Sequence, residues 1–482
     1  MQKKKSLFAN FIYNALYNSL SIIFPLITIP YVSRILLSDG LGKINYASNI
    51  VAWFLLFASL GIPRYGVREI ARVKGDKNSL DQTFSSLFCI NFVSSCICSI
   101  AFVALTWVVP YFNNKLVLYL VSGIQLFLNV FNVDWFYQGM EEYGYITKRS
   151  FAIKICSLVA MFMFVRTHDD YITYALIQSI ALVGSYLLNF INLRKYVHFV
   201  YKKLTIKKHL KSIFILLSTQ LAVNIYSLLD TTMLGWWCTD SVIGYYTNVH
   251  KLIKIVAILT ASLGGVMLPR LVNMYAGKDT DGVKKLSEKA LDVIVVMCIP
   301  IMFGMILTSK DIVSVIFGTD FMPCVETMII FAPFILFTTI GNLFGTQLLM
   351  VFGQEKKLLY SVVIGAVTNF SLNSLLIRSM YQNGAALASV ITECIVMVTQ
   401  IIMVHKYIDI KLNFKSCMQV CVMTIGMIAI VLGVQYLISN TFMELILSVD
   451  LGALTYLTLG FVFKNEALVS LIDIFRSKIK QV

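Results

Sequence analysis

LLYSVVIGAVTNFSLNSLLIRSMYQNGAALASVITECIVMVTQIIMVH, residues 358–405, decides how this chain is read. It holds two apolar runs, 358–378 and 384–405, parted by a few polar residues, and the charges within it are Arg378 and Glu393. A membrane-crossing helix needs roughly 20 predominantly apolar residues. Each run qualifies, and the gap between them allows only a tight reversal. Outward from this stretch, comparable runs lie at 7–32, 44–63, 84–109, 116–138, 148–165, 171–193 and 212–236, then at 243–268, 289–308, 325–350, 416–438 and 442–463. They predict an all-α polytopic membrane protein with about fourteen transmembrane helices. Backbone groups in lipid must be satisfied internally, so segments of this length are helices and not the short alternating strands of an outer-membrane barrel.

Composition agrees. With 58% hydrophobic and 13% charged residues and a mean hydropathy of +0.78, the chain lacks the polar residues that a water-exposed surface requires. The net charge of +15 suits nucleic acid in a soluble protein, but here the cations alternate with the spans. Lys3, Lys4 and Lys5, then Arg64, Arg68, Arg72, Lys74 and Lys77, then Arg194, Lys195, Lys202, Lys203, Lys207, Lys208 and Lys211 fall in every second connection. The connections between them carry few: Arg34 and Lys43, Lys115, Arg166, Lys310 and Arg378. This places both termini in the cytoplasm of a bacterial inner-membrane, multi-pass protein, with the charge facing inner-membrane lipids and no nucleic-acid partner. The basic N-terminus resembles a signal peptide, but its apolar run is too long and is read as a retained first helix. The ten cysteines lie singly in apolar runs without metal-ligand spacing, and are expected to be small buried hydrophobes. No G-x-x-x-x-G-K-[ST] occurs, which disfavours ATP-driven transport by this chain alone.

Two stretches about 200 residues apart rhyme: Gly42 to Arg64 and Gly244 to Arg270 each run from one turn to a Pro-Arg, and Gly139-Met-Glu141 and Gly353-Gln-Glu355 open corresponding helices. An even-numbered repeat places both halves in the same sense about an axis along the membrane normal. The expected domains are an N-terminal six-helix lobe (1–195), a basic cytoplasmic linker (196–211), a C-terminal six-helix lobe (212–405) and two additional helices with a cytoplasmic tail (406–482).

PLITIPYVSRIL from Pro25, GIPRYGVREIA from Gly61 and NVDWFYQGMEEYGYITKR from Asn132 to Arg149 carry a resemblance to the Wzx-type polysaccharide flippases of the multidrug/oligosaccharidyl-lipid/polysaccharide exporter superfamily. The resemblance implies a two-lobed, V-shaped, non-enzymatic inner-membrane transporter. Its cargo would be an undecaprenyl-diphosphate-linked oligosaccharide, typically an O-antigen repeat unit, moved from the cytoplasmic to the periplasmic leaflet by alternating access. The polymerase and chain-length regulator of the same pathway are the partners it suggests.

Charges retained within spans point to the working surface, since one at the bilayer centre costs roughly 2.5–3.5 kcal/mol on insertion scales. Arg34, Lys154, Lys251, Lys254 and Arg378 are the candidates for a cationic cavity binding the diphosphate; Arg34 and Arg378 read equally as interfacial anchors. Asp134, Asp230 and Glu393 either pair with these cations or bind a coupling proton or sodium ion. Glu393, nearest mid-membrane, is the first choice for coupling, whereas Asp134 suits a tie between the fourth and fifth spans. No other cofactor and no metal is expected. Two rival functions stand: an ion-coupled multidrug and toxin extruder, which usually has twelve spans, and a membrane oligosaccharide polymerase or glycosyltransferase. The short connections and lack of paired surface carboxylates disfavour the latter.

Overall fold

The computed structural model describes residues 7–469 except 203, with side chains from residue 23 onward except at 219, 222–223 and 262–266. The lysines at 3–5 and the tail beyond 469 lie outside the described residues. Among those described there is no strand, and nine helical stretches are long and apolar enough to cross a membrane. Two of the nine, Ile23–Val73 and Glu355–His405, contain a break and each carries more than one predicted span, so the fold is consistent with the fourteen expected. This is a multi-pass, all-helical membrane protein.

The chain forms two compact units, one of residues 1–235 and 239–244, the other of residues 236–238 and 245–482. The first holds α1 (Leu7–Ser59), α2 (Ile62–Val73), α3 (Lys77–Val108), α4 (Pro110–Asn113), α5 (Leu116–Phe127), α6 (Asp134–Gly139), α7 (Tyr143–Phe164), α8 (Tyr171–Leu193) and nearly all of α9 (Ile206–Trp237). The second holds most of α10 (Asp240–Ala276), then α11 (Thr280–Leu307), α12 (Ser309–Ile312), α13 (Cys324–Phe331), α14 (Phe334–Gly341), α15 (Glu355–His405), α16 (Phe414–Leu437) and α17 (Thr441–Val462). Polar caps start the helices where loops are short. Asp76 accepts from the Asn78 and Ser79 amides ahead of α3, Asn413 from that of Ser416 ahead of α16, and Asn440 from those of Phe442 and Met443 ahead of α17.

Two of the motifs pack on one another in the first unit. α2 is amphipathic: it buries Ile62, Tyr65, Gly66, Glu69 and Ile70 and exposes Arg64, Arg68 and Arg72 at four-residue spacing, one face of a helix each. Its buried face meets α6. A Cβ on Gly66 would lie 2.3 Å from the Trp135 ring, and Trp135 stacks on Phe84 with centroids 5.5 Å apart. The Tyr137 hydroxyl donates to the Asn189 carbonyl at 2.7 Å, and Lys74 pairs with Glu141 at 2.8 Å. The aromatic signature of 132–149 is therefore mainly a packing core. The cysteine expectation is corrected: Cys298 and Cys324 are buried, but Cys96, Cys156 and Cys421 lie exposed, because an apolar residue on a membrane helix can as well face lipid as protein.

Within α1, just past its break at Leu37, the segments around Gly42 and Gly244 cross. A Cβ on Gly42 would fall 1.7 Å from the Asp240 carbonyl oxygen, and one on Gly244 would fall 2.1 Å from that of Ser38. Lys115 pairs with Asp240 at 2.5 Å, and the Tyr111 hydroxyl donates to the same carboxylate at 3.1 Å.

His209 sits at the start of α9, before its apolar run begins. It is 1% exposed, hydrogen-bonded to the Tyr65 hydroxyl at 2.7 Å and to Thr205 at 3.2 Å. Burial, aided by Lys208 and opposed by Glu69, holds its pKa below that of a free histidine. The unfolded chain therefore binds the extra proton first as pH falls below about 6.5, and stability drops with acid by at most about 1.4 kcal/mol per pH unit until the folded pKa is reached. Melting curves of the purified protein are expected to shift down between about pH 7.5 and 5.5, and the shift should shrink in His209→Gln.

Candidate functional site

The first unit contains a cavity of about 390 Å³ whose walls come from α1, α6, α7 and α8. Helical periodicity builds it. Ser150, Ile153, Lys154, Ser157 and Met161 line it from α7, and Tyr174, Gln178, Ala181 and Ser185 from α8, each set recurring every three or four residues on one face. Phe24 and Thr28 close it from α1, and Asp134 and Arg149 stand at one end.

Arg149 organises that end. Its side chain is 4% exposed and its Nη1 lies 3.1 Å from Asp134 Oδ1. Nη1 also donates to the Ser185 carbonyl and Nη2 to Ser150 Oγ, both at 3.2 Å, while Nε has no partner among the described atoms. Asn189 Nδ2 donates to the same Asp134 oxygen. The fixed guanidinium is thus neutralised by one carboxylate. Lys154 is the remaining cation of the cavity: it is partly exposed, forms no ion pair with a described carboxylate, and lies 5.7 Å from the centroid of the Phe24 ring, within cation–π range. The cavity therefore pairs a net positive charge with hydroxyl and amide groups in an otherwise apolar wall. That combination suits an anion bearing polar substituents.

The structure brings Asp134 and Lys154 into one cavity and distributes the other predicted residues elsewhere. Arg34 is exposed on α1. Asp230, on α9, is 2% exposed and precedes Thr231 and Thr232, the second of which accepts from Asn49 at 2.8 Å and Trp53 at 3.0 Å. In the second unit, Lys251 and Lys254 are both exposed on α10. Neighbouring His250 is stacked between Tyr246, at 5.7 Å, and Phe331, at 5.6 Å. Glu393 is 6% exposed on α15, one turn from Ser389, whose hydroxyl lies 3.3 Å from that of Tyr246. Arg378 stacks over Trp237 at 4.9 Å. Arg149 is the residue that sequence reasoning missed, having read it only as the basic end of a motif. Its spacing from Lys154, five residues along the same helix, is not a same-face spacing, so the sequence pattern did not single it out.

The model of the family described as polysaccharide biosynthesis protein matches residues 7–275. An Escherichia coli K12 protein named as an O-antigen transporter is 22% identical over 401 residues, covering 82% of this chain and 95% of that one. A Haloferax volcanii protein named as a low-salt glycan biosynthesis flippase is 21% identical over 240 residues, about half of each chain. Among solved structures, the lipid II flippase MurJ in an inward closed conformation aligns with a TM-score of 0.75 at 17% identity, covering 95% of this chain and 99% of that one. An inward-facing multidrug resistance MATE transporter aligns with a TM-score of 0.62 at 12% identity, over 80% and 97%. With the family model spanning more than half of its length and both structural neighbours sharing its helical fold, this chain belongs to the polysaccharide biosynthesis protein family.

Proposed function

We propose that this chain is a flippase that moves an undecaprenyl-diphosphate-linked oligosaccharide, of the O-antigen repeat-unit class, from the cytoplasmic to the periplasmic leaflet of a bacterial inner membrane by alternating access. The observation that carries the reading is the polar cavity with its unpaired Lys154 and buried Arg149 inside an otherwise apolar helical body. A diphosphate has the oxygens to engage such cations, its glycan the hydroxyls to engage serine and glutamine, and its polyprenyl tail the apolarity to remain in lipid. The names of the relatives point to the same chemistry. In this reading both termini are cytoplasmic, Arg34, Lys251, Lys254 and Arg378 are further candidates for contact with the diphosphate, and a proton or sodium ion couples transport, with Glu393 the first candidate and Asp230 and Asp134 the others. The polymerase and chain-length regulator of the pathway act downstream.

The test is deletion of the gene in its host, complemented by the native chain or by variants. The deletion should lose long surface glycan and accumulate completed lipid-linked units on the inner leaflet; the native chain should restore export. Lys154→Ala should restore it poorly at normal protein level, and Lys154→Arg should restore it substantially, since charge is what the cavity supplies. Completed units exposed on the outer leaflet but left unjoined would identify a polymerase. Unchanged glycan with heightened drug sensitivity would identify an extruder.

A further inference from the structure

A second cavity, of about 220 Å³, lies in the same unit and shares Gln178 and Leu182 with the cationic one. Its polar lining carries no charge: Ser48 comes from α1, Ser122 and Gln125 from α5, and Gln178 and Ser179 from α8, set among small and aliphatic side chains. One of these groups is left unsatisfied. Ser122 is 3% exposed and its buried hydroxyl has no hydrogen-bond partner among the described atoms, a condition that costs about 1–3 kcal/mol in a settled interior. Gln178, in contrast, is exposed and stands in the wall common to both cavities, with an amide that can donate to one side and accept from the other.

The lining selects among ligands. An anion or cation would find no counter-charge in it. An apolar group would leave the Ser122 hydroxyl unsatisfied and offer nothing to the remaining polar capacity of the other serines and glutamines of the wall. The volume corresponds to about seven waters at liquid density, room for one pyranose ring, whose hydroxyls and C–H faces match alternating hydroxyl or amide and aliphatic walls. We propose that this cavity is a neutral-sugar subsite that receives the sugar ring directly attached to the diphosphate while the diphosphate occupies the cavity of Lys154 and Arg149, with Gln178 spanning the junction. The assignment rests on the flippase reading and adds to it the position and polarity of the first sugar.

Single Gln125→Cys and Ser157→Cys variants of the full chain, in lipid nanodiscs, test it. Modification by a small thiol reagent is followed by peptide mass spectrometry at the introduced position, so the native cysteines do not enter. The probes are undecaprenyl diphosphate and the same lipid carrying one N-acetylhexosamine. The expected result is that both probes slow modification at 157 several-fold, while only the glycosylated lipid slows it at 125. Equal protection at 125 by both probes would overturn the sugar assignment. Protection confined to 157 would show a water-filled pocket and overturn it as well, with the flippase reading intact. Protection by neither probe at either position would overturn both.

Discussion

Replacing Arg149 by leucine is expected to destabilise the protein by about 3–5 kcal/mol, the usual consequence of removing one partner from a buried ion pair. The loss should fall toward the lower end, because the Asp134 side chain is 22% exposed against 4% for Arg149, and water can reach part of the abandoned carboxylate. Three attachments disappear together: the ion pair with Asp134, the bond to the Ser185 carbonyl and the bond to Ser150 Oγ. Arg149→Lys keeps the charge without the fork geometry and should be intermediate. The decisive measurement is a double-mutant cycle read by thermal melting of the purified protein. Asp134→Leu combined with Arg149→Leu should recover a large part of the stability lost by Arg149→Leu alone, since the burden is the uncompensated charge. Additive losses would show that Asp134 and Arg149 are not energetically coupled, despite their 3.1 Å separation.

Gly42→Leu and Gly244→Leu are expected to be the other severe substitutions. The crossing is reciprocal: Gly42 faces the Asp240 carbonyl and Gly244 faces that of Ser38, each the residue four positions before the partner glycine. Such an exchange is what a two-fold relation between the two short stretches requires. Even alanine at Gly42 would place Cβ 1.7 Å from a backbone oxygen, and backbone cannot swing aside as a side chain can. Overpacking ordinarily costs about 1–3 kcal/mol, occasionally more. Alanine should reach the top of that range here and leucine should prevent accumulation of folded protein. Gly184→Ala is the control. A Cβ there meets nothing within 4 Å, and in mid-helix alanine is favoured over glycine by about 1 kcal/mol, so its melting temperature should hold or rise. Size-exclusion profiles of fluorescent fusions, with melting temperatures, would separate the two outcomes; tolerance of Gly42→Leu would show that the helices can part at this crossing without loss of the fold.

The motifs changed meaning between sequence and structure. Gly61–Ala71 and Asn132–Arg149 stood out for their chemistry, yet Gly66 and Trp135 meet face to face, Tyr137 bonds a backbone carbonyl, and most of the aromatic cluster is interior. The residues with exposure to the cavity, Lys154 and Gln178, lie one or more turns beyond the second motif or outside both.

The sequence by itself determined the membrane-spanning, all-helical character of the chain. In lipid a helix closes its hydrogen bonds within its own segment, so apolar length is enough to specify it. Lys154 was legible for the same local reason: a charge within an apolar run is costly wherever it points. Tertiary structure decided the rest. It fixed the point of two reversals that the sequence had only bracketed, at Leu37 (φ 58°) and Tyr381 (φ 50°), each three residues before a glycine, where packing imposes a backbone conformation that the local residue disfavours. It set Gly42 and Gly244 against backbone carbonyls, and it gathered Asp134, Arg149, Ser185 and Asn189 from three helices around one ion pair. Those relations depend on which helix faces lie opposite each other, and that is set by packing between segments remote in the chain.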